Sequence, residues 1–307
     1  MKKKPHRYVI YRIFRFLLDC LGYLPHRACL WFGRCLGKLV FKILKKERKQ
    51  AINNLSMAFS SEKNREKIEK IACESFENMG MTLTEMAWMR KASPDKVFSC
   101  VSIDENLLLD RFKNLKNGGI IVTAHLGNWE LIAAYACWRG YRIAAIAKRI
   151  YFEPYNTLLI ELRQKFNVET IYRDESPRKT LQWIQKGGFL GILADQDVDS
   201  VDGVFVDFFG KSAYTPLGPA LIALAARVPM LPSFIIRNGD KHEILLGEPI
   251  FPNTDGEVNK EEESMRLTRA WSKAVEKMIR KYPHLWVWHH RRWKTRPDKS
   301  DGMEKSA

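Results

Sequence analysis

His125 and Glu130 are the residues best placed to do chemistry, in the run Gly118-Gly119-Ile120-Ile121-Val122-Thr123-Ala124-His125-Leu126-Gly127-Asn128-Trp129-Glu130. An imidazole can take a proton from a hydroxyl, and a carboxylate beside it can hold the ring in the tautomer that does so. The His-x4-Glu spacing suits that pairing. Five residues along a regular helix, however, is about 140° around the axis, so the pair meets only across an irregular turn. A lone histidine after a strand is more commonly a surface or satisfied core residue, and its neighbours must decide.

Those neighbours are strand ends. The β-branched run before His125 predicts a buried strand, and Leu126-Gly127 turns the chain towards a helix over 131–138 with Asn128 as its N-cap. Residues 141–147 predict a second strand, closing on Lys148-Arg149, where a cation suits a phosphate or a developing oxyanion. A helix over 155–166 and a short strand over 169–172 follow. Residues 187–194 predict a third buried strand ending in Asp195-Gln196-Asp197. Strands alternating with helices imply an α/β fold, a largely parallel central sheet with helices on both faces. Such sheets place their chemistry at the carboxyl ends of strands.

Downstream lies the aromatic run Gly203-Val204-Phe205-Val206-Asp207-Phe208-Phe209-Gly210, which suits either an acyl-chain groove or ordinary core. Thr215 can cap a helix that has Pro216 at its first position. An alanine-rich helix over 220–227, a strand over 230–236 with a partner over 242–246, and a long helix over 261–282 complete the pattern. The chain closes on Trp286-Val287-Trp288-His289-His290-Arg291-Arg292-Trp293-Lys294.

Upstream, residues 8–24 predict an amphipathic helix. Arg12, Arg15 and Asp19 interrupt it, each costing about 2.5–3.5 kcal/mol at a bilayer centre, and no small-residue cleavage site follows. The charges fall opposite a stripe of Val9, Ile10, Ile13, Phe14, Leu17, Leu18 and Leu21. A second such segment, 28–44, mixes Trp31 and Phe32 with Arg34, Lys38 and Lys42. Basic amphipathic helices with aromatics suit an anionic interface, each nearby cation adding about 1 kcal/mol. Residues 62–89, punctuated by Pro94, predict a scaffold helix.

The formal net charge of the 307 residues is +16, and it is uneven. Lys2, Lys3 and Lys4 open a basic N-terminal region whose cations face only Asp19 and Glu47 before Asn53. This balance points to acidic partners. Six scattered cysteines, without a Cys-x-x-Cys pair, argue for a reducing compartment and against a structural metal. The organisation expected is basic interface helices over 1–50, one α/β domain over 51–297 and a polar tail over 298–307.

From about Leu17 to Pro297 the motifs resemble those of the bacterial lipid A biosynthesis acyltransferases of the lauroyl/myristoyl type. The resemblance is carried by Ala124-His125-Leu126-Gly127-Asn128-Trp129-Glu130, by Ala194-Asp195-Gln196-Asp197 with Gly203-Val204-Phe205-Val206 and Phe208-Phe209-Gly210, by Thr215-Pro216-Leu217-Gly218-Pro219-Ala220, and by 286–294. His-x4-Glu alone is weak; these motifs together and in order are specific. The resemblance implies an enzyme on the cytoplasmic face of the inner membrane. It would move an acyl chain from acyl carrier protein to a hydroxyl of a phosphorylated glycolipid of lipid A precursor type, with no metal or bound cofactor. Its partners would be the carrier protein, anionic membrane lipids and the phosphoglycolipid, with no nucleic acid.

In that reading His125 is the general base, oriented by Glu130 or by Asp195. Arg149 and Gln196 are candidates for substrate contact, and Arg291, Arg292 and Lys294 for acceptor phosphates. Two departures stand out: residues 8–24 lack a clean hydrophobic anchor, and Asp207 stands where the family commonly has Pro.

A glycerolipid or lysophospholipid acyltransferase shares the histidine logic, as does an enzyme for another glycolipid. Glycerolipid enzymes show Asn-His-x4-Asp and a Phe-Pro-Glu-Gly-Thr-Arg block, whereas this chain has Ala124, Glu130 and no such block. A basic non-catalytic membrane-binding or nucleic-acid-binding protein is the remote alternative, and no helix-turn-helix, zinc or RNA-binding signature supports the latter.

Overall fold

The computed structural model describes residues 5–59, 61–112, 115, 117–254 and 259–297. Lys2, Lys3, Lys4 and the tail 298–307 lie outside the described residues. Four helices come first: α1 (Pro5–Gly22), α2 (His26–Ile43), α3 (Lys45–Phe59) and α4 (Arg65–Lys91). Asn64 caps α4 by accepting from the Lys67 N–H, and Arg90 and Lys91 complement its C-terminal dipole. After α5 (Pro94–Phe98), strands and helices alternate: β1 (Val101–Ile103), α6 (Glu105–Phe112), β2 (Gly119–Thr123), α7 (Glu130–Trp138), β3 (Ile143–Ala147), α8 (Glu153–Lys165), β4 (Glu169–Tyr172), α9 (Pro177–Gln185) and β5 (Phe189–Leu193). Then follow β6 (Gly203–Phe208), β7 (Lys211–Pro216), α10 (Gly218–Ala226), β8 (Met230–Asn238), β9 (Lys241–Leu246) and α11 (Lys260–Lys281).

Seven strands form one sheet in the order β1-β9-β8-β2-β5-β3-β4, parallel throughout except for the β8–β9 hairpin. Strand β2 is central and wholly buried, so it alternates between two cores as its pleat requires. Ile120 and Val122 face a core built with α3, α4, α10 and α11; Ile121 faces one built with α7 and α8. The expected α/β fold with a mostly parallel sheet is therefore present.

Several local expectations give way. Thr215 and Pro216 do not open a helix: they end β7, which pairs with β6 as a separate hairpin, and α10 starts at Gly218 with Pro219 in its first turn. Asn128 is not a cap; Trp129 holds that position without a side-chain bond, and Asn128 is turned into the interior. Phe208 and Phe209 are core residues packed against Trp286, Trp288 and Trp293, not the wall of an open groove.

Helix α1 sits differently from its sequence pattern. Two of its charges turn towards the body: Arg15 pairs with Glu161, and Asp19 lies 3.4 Å from Arg90 and 3.2 Å from Lys91, while Arg12 stays exposed. Of the apolar stripe, Leu18 is buried, with Phe14 and Leu21 packed beside it, whereas Val9, Ile10, Ile13 and Leu17 are exposed, as is Phe16 outside the stripe. Helix α2 likewise exposes Trp31, Phe32, Leu39 and Ile43, while Gly33 and Gly37 face α4. A Cβ on Gly37 would lie 2.2 Å from the Phe76 carbonyl oxygen, and one on Gly80 of α4 2.1 Å from that of Gly33, so the two backbones touch. Among the described residues no helix is long and apolar enough to cross a membrane.

Candidate active site

Strands β2 and β5 are paired in parallel with Thr123 opposite Leu193 at their last residues. Two residues further along each chain stand His125 and Asp195, so the sheet itself brings them together. Asp195 is buried and its carboxylate is fully used. Oδ1 accepts from His125 Nδ1 at 2.8 Å, and Oδ2 accepts from the His125 backbone N–H at 2.9 Å and from Trp286 Nε1 at 2.7 Å. Burial alone would raise the Asp195 carboxyl, but His125 and the indole N–H hold it far below the usual carboxylate range. An ionised carboxylate can only accept, so Nδ1 carries the imidazole proton and Nε2 keeps its lone pair. The His125 side chain is about one-fifth exposed and its partner about 1 % exposed.

The ring is hemmed in by side chains. Trp129 meets it edge-on at a centroid distance of 4.8 Å, and His290 lies tilted at 5.6 Å. Gln196 places its amide 3.3 Å from His125 Nε2 and 2.7 Å from His290 Nε2. Burial first, then the neighbouring His125, pushes the His290 imidazole down to about 4, so it is neutral at pH 7. Asn54 of α3 fixes this stretch by donating to the carbonyls of Trp288 and His290. Asp197 accepts from the Thr295 N–H and hydroxyl, tying the β5 exit to the C-terminal segment.

The turn after His125 is held tightly. Leu126 bridges to Trp286, the Gly127 N–H donates to the Leu285 carbonyl, and Thr82 of α4 donates to the Gly127 carbonyl. Gly127 has φ +64°, and a Cβ there would lie 2.3 Å from the Ile235 carbonyl oxygen, so glycine is required twice over.

Glu130 lies elsewhere. Both its oxygens accept from Arg163 of α8, at 2.9 and 2.8 Å, in a buried bidentate pair at the foot of α7. The sequence pattern that pairs His125 with Glu130 reports two different partnerships, His125–Asp195 and Glu130–Arg163. Arg149, past the end of β3, is half exposed, pairs with Asp174 and Glu175, and covers the Tyr172 ring.

The C-terminal cations divide three ways. Arg292 is buried and donates to the Tyr214 carbonyl and Thr215 hydroxyl; burial lowers its guanidinium to about 10. Its side chain is committed to the β6–β7 hairpin rather than to a phosphate. Lys294 pairs with Asp199 at the surface, and Arg291 is exposed. Sequence reasoning missed Trp286, His290 and Arg163; only the Trp-rich context of 286–294 gave any signal for the first two. Among the described residues, no three His, Cys, Asp or Glu side chains gather as a metal site requires, and all six cysteines are free.

Residues 2–295 match the family model of the bacterial lipid A biosynthesis acyltransferases. The chain is 27% identical over 289 residues to the lipid A biosynthesis lauroyltransferase of Escherichia coli (strain K12), covering 90% of this chain and 88% of the relative. It is 26% identical over 284 residues to the lipid A biosynthesis palmitoleoyltransferase of the same strain, covering 89% and 87%. A shorter stretch of 120 residues, 38% of each chain, is 24% identical to a phosphatidylinositol mannoside acyltransferase of Mycobacterium tuberculosis (strain ATCC 25618 / H37Rv). With the family model spanning nearly all of the chain, the protein belongs to the bacterial lipid A biosynthesis acyltransferases and is an acyltransferase.

Proposed function

We propose that this acyltransferase moves a fatty acyl chain from an acyl carrier protein thioester to a hydroxyl of a phosphorylated glycolipid of lipid A precursor type, with His125 as general base. The observation that carries this reading is the His125–Asp195 pair, with the proton fixed on Nδ1. Nε2 removes the proton of the acceptor hydroxyl as its oxygen attacks the thioester carbonyl. Asp195 stabilises the imidazolium, which then protonates the departing thiolate of the carrier. The C–O bond forms, the C–S bond breaks, and the histidine ends as it began. No metal or bound cofactor enters the scheme.

Asp195, rather than Glu130, is the orienting carboxylate in this proposal, because Glu130 is held on both oxygens by Arg163. Gln196, beside both imidazoles, is the nearest of the substrate-contact candidates; Arg149, Arg291 and Lys294 remain candidates for acceptor phosphates at the surface. The protein is proposed to lie on the cytoplasmic face of the inner membrane, with α1 and α2 in the interface. Supporting this are the exposed Val9, Ile10, Ile13, Phe16, Leu17, Trp31, Phe32, Leu39 and Ile43, beside Arg12, Arg34, Lys38 and Lys42.

Mass spectrometry of total lipids from cells with and without the gene tests the acceptor. A lipid A precursor lacking one acyl chain should accumulate when the gene is absent. A change confined to another glycolipid class overturns the acceptor assignment.

A further inference from the structure

A second polar cluster lies buried behind the catalytic turn, and the mechanism above makes no use of it. Its centre is Glu85 of α4, about 1 % exposed. Oε2 accepts from Asn128 Nδ2 at 2.8 Å and from Arg237 Nη2 at 2.7 Å. Oε1 accepts from His26 Nε2 at 2.7 Å, His242 Nε2 at 2.8 Å and Arg237 Nη1 at 3.1 Å. Burial alone would raise the Glu85 carboxyl, but Arg237 and His242 hold it well below its ordinary value.

Such a cluster is a poor way to gain stability. Taking Glu85 and Arg237 out of water costs several kcal/mol per ion, and apolar residues of equal volume commonly serve as well. Asn128 sharpens the point: it is completely buried, and its Oδ1 has no hydrogen-bond partner among the described residues, a further cost. What the cluster does supply is fixed geometry at the turn.

Two routes lead from it to the pair His125–Asp195. Asn128 is three residues beyond His125, on the same tight turn. On the other route, Arg237 Nε donates to Asn78 Oδ1 at 3.4 Å, Asn78 donates to the Leu285 carbonyl at 3.1 Å, and the same carbonyl accepts the Gly127 N–H at 3.0 Å. Leu285 precedes Trp286, the residue that holds Asp195 Oδ2. One buried ion pair thus braces the histidine through Asn128 and Gly127, and the carboxylate through Leu285 and Trp286. His26, the first residue of α2, is stacked on Trp88 at 4.1 Å and bonded to the same Glu85 carboxylate, which attaches the lipid-facing helix to the brace.

We propose that Glu85 and Asn128 are positioning residues for acyl transfer: the buried Glu85–Arg237 pair, acting through Asn128, fixes the turn that aims His125 at Asp195. This rests on the reading of His125–Asp195 as the reacting pair.

Asn128→Ala removes the link while leaving Glu85 paired with Arg237. It should lower kcat about tenfold or more with KM for the acyl carrier protein thioester unchanged, assayed on whichever acceptor the wild-type enzyme acylates. A purely structural role would add independently to any other lesion, so the double variant decides. In an Asp195→Asn background the same change should cost less than about twofold. Wild-type kcat in folded Asn128→Ala, or an undiminished loss in the Asp195→Asn background, overturns the proposal. If Asn128→Ala does not fold, Thr82→Val, which frees the Gly127 carbonyl, takes its place with the same expected kcat loss and the same cycle. Should Asp195→Asn itself keep full activity, the reading of the pair fails on its own, and a kcat loss at constant KM in Asn128→Ala still reports turn positioning.

Discussion

Asp195 grips His125 twice, once at the ring through Nδ1 and once at the backbone N–H, each oxygen taking one contact. A carboxylate bonded to both ends of one residue fixes the position of the residue and the rotation of its ring together. The adjacency follows from sheet register, since Thr123 and Leu193 are opposite partners and His125 and Asp195 each stand two places further on.

If Nε2 of His125 is the base, His125→Ala should lower acyl transfer by about 10²–10⁴-fold while the thermal midpoint stays near that of the wild type. Turnover of purified enzyme with an acyl carrier protein thioester measures it. Retained activity in the folded variant removes His125 from the mechanism.

Asp195→Asn and Glu130→Gln should fail in different ways. The first keeps the shape but no longer enforces the Nδ1–H tautomer, so kcat should fall by at least a hundredfold with modest effect on folding. The second leaves the buried Arg163 without its counter-charge, and breaking such a pair costs about 3–5 kcal/mol. Its signature is a lowered urea midpoint. The opposite pattern, a stable but inactive Glu130→Gln beside an active Asp195→Asn, returns the orienting role to Glu130.

Acid should destabilise the protein in a defined window. His290 titrates at about 4 when folded, because burial and then the neighbouring His125 disfavour its protonated form, and at about 6.5 when unfolded. Between these values the unfolded chain holds a proton that the folded chain lacks, so stability rises with pH there. It is complete above about 6.5 and is lost progressively as the pH falls towards 4. The depressed carboxyl of Asp195 adds a loss at lower pH, as it is protonated below the usual carboxylate range. His290→Gln should flatten part of the slope between pH 6.5 and 4 in urea titrations. The remainder belongs to His242, His284 and His289, which burial also lowers. An unchanged slope assigns the acid sensitivity to other groups.

The exposed face of α1 gives a membrane prediction. Ile13→Glu with Leu17→Glu changes two exposed side chains and leaves Leu18 and the Arg15–Glu161 pair in place. Flotation with anionic vesicles should drop severalfold while the circular dichroism spectrum is unchanged. Wild-type binding should weaken at high salt, because attraction between the basic helices and anionic lipid is screened. Undiminished flotation of the double variant places the contact surface elsewhere.

Much of the fold was legible because period and punctuation were strong. β4 coincides with the expected 169–172, and the long helices α4 and α11 lie within a few residues of their expected limits. Position of His125 at a strand end was legible for the same reason. Its partner was only half legible: nothing in one sequence states that β5 lies beside β2 and in which register, so the motif spacing tipped the choice slightly to Glu130 over Asp195. Asn128 and Thr215 misled because their local chemistry suits helix caps, whereas tertiary bonding to Glu85 and Arg292 claimed both side chains. Arg292 read as a phosphate ligand because charge alone does not reveal burial. In α1, Arg15 and Asp19 found partners on α4 and α8, and with this pairing much of the apolar stripe faces outwards against the usual rule.

The touching backbones of α2 and α4 have a mechanical meaning. Side chains between two helices act as a cushion, since rotamers can shift to absorb a small slide. At Gly33, Gly37 and Gly80 there is no cushion, and main chain bears directly on main chain. The two helices therefore move as one beam, with the exposed Trp31, Phe32, Leu39 and Ile43 along one member and Asn78, Thr82 and Glu85 along the other. Tilting the first tilts the second. On the proposed seating of α1 and α2 in a membrane interface, a change in the depth or angle of α2 would reach the His125 turn through α4 without slack.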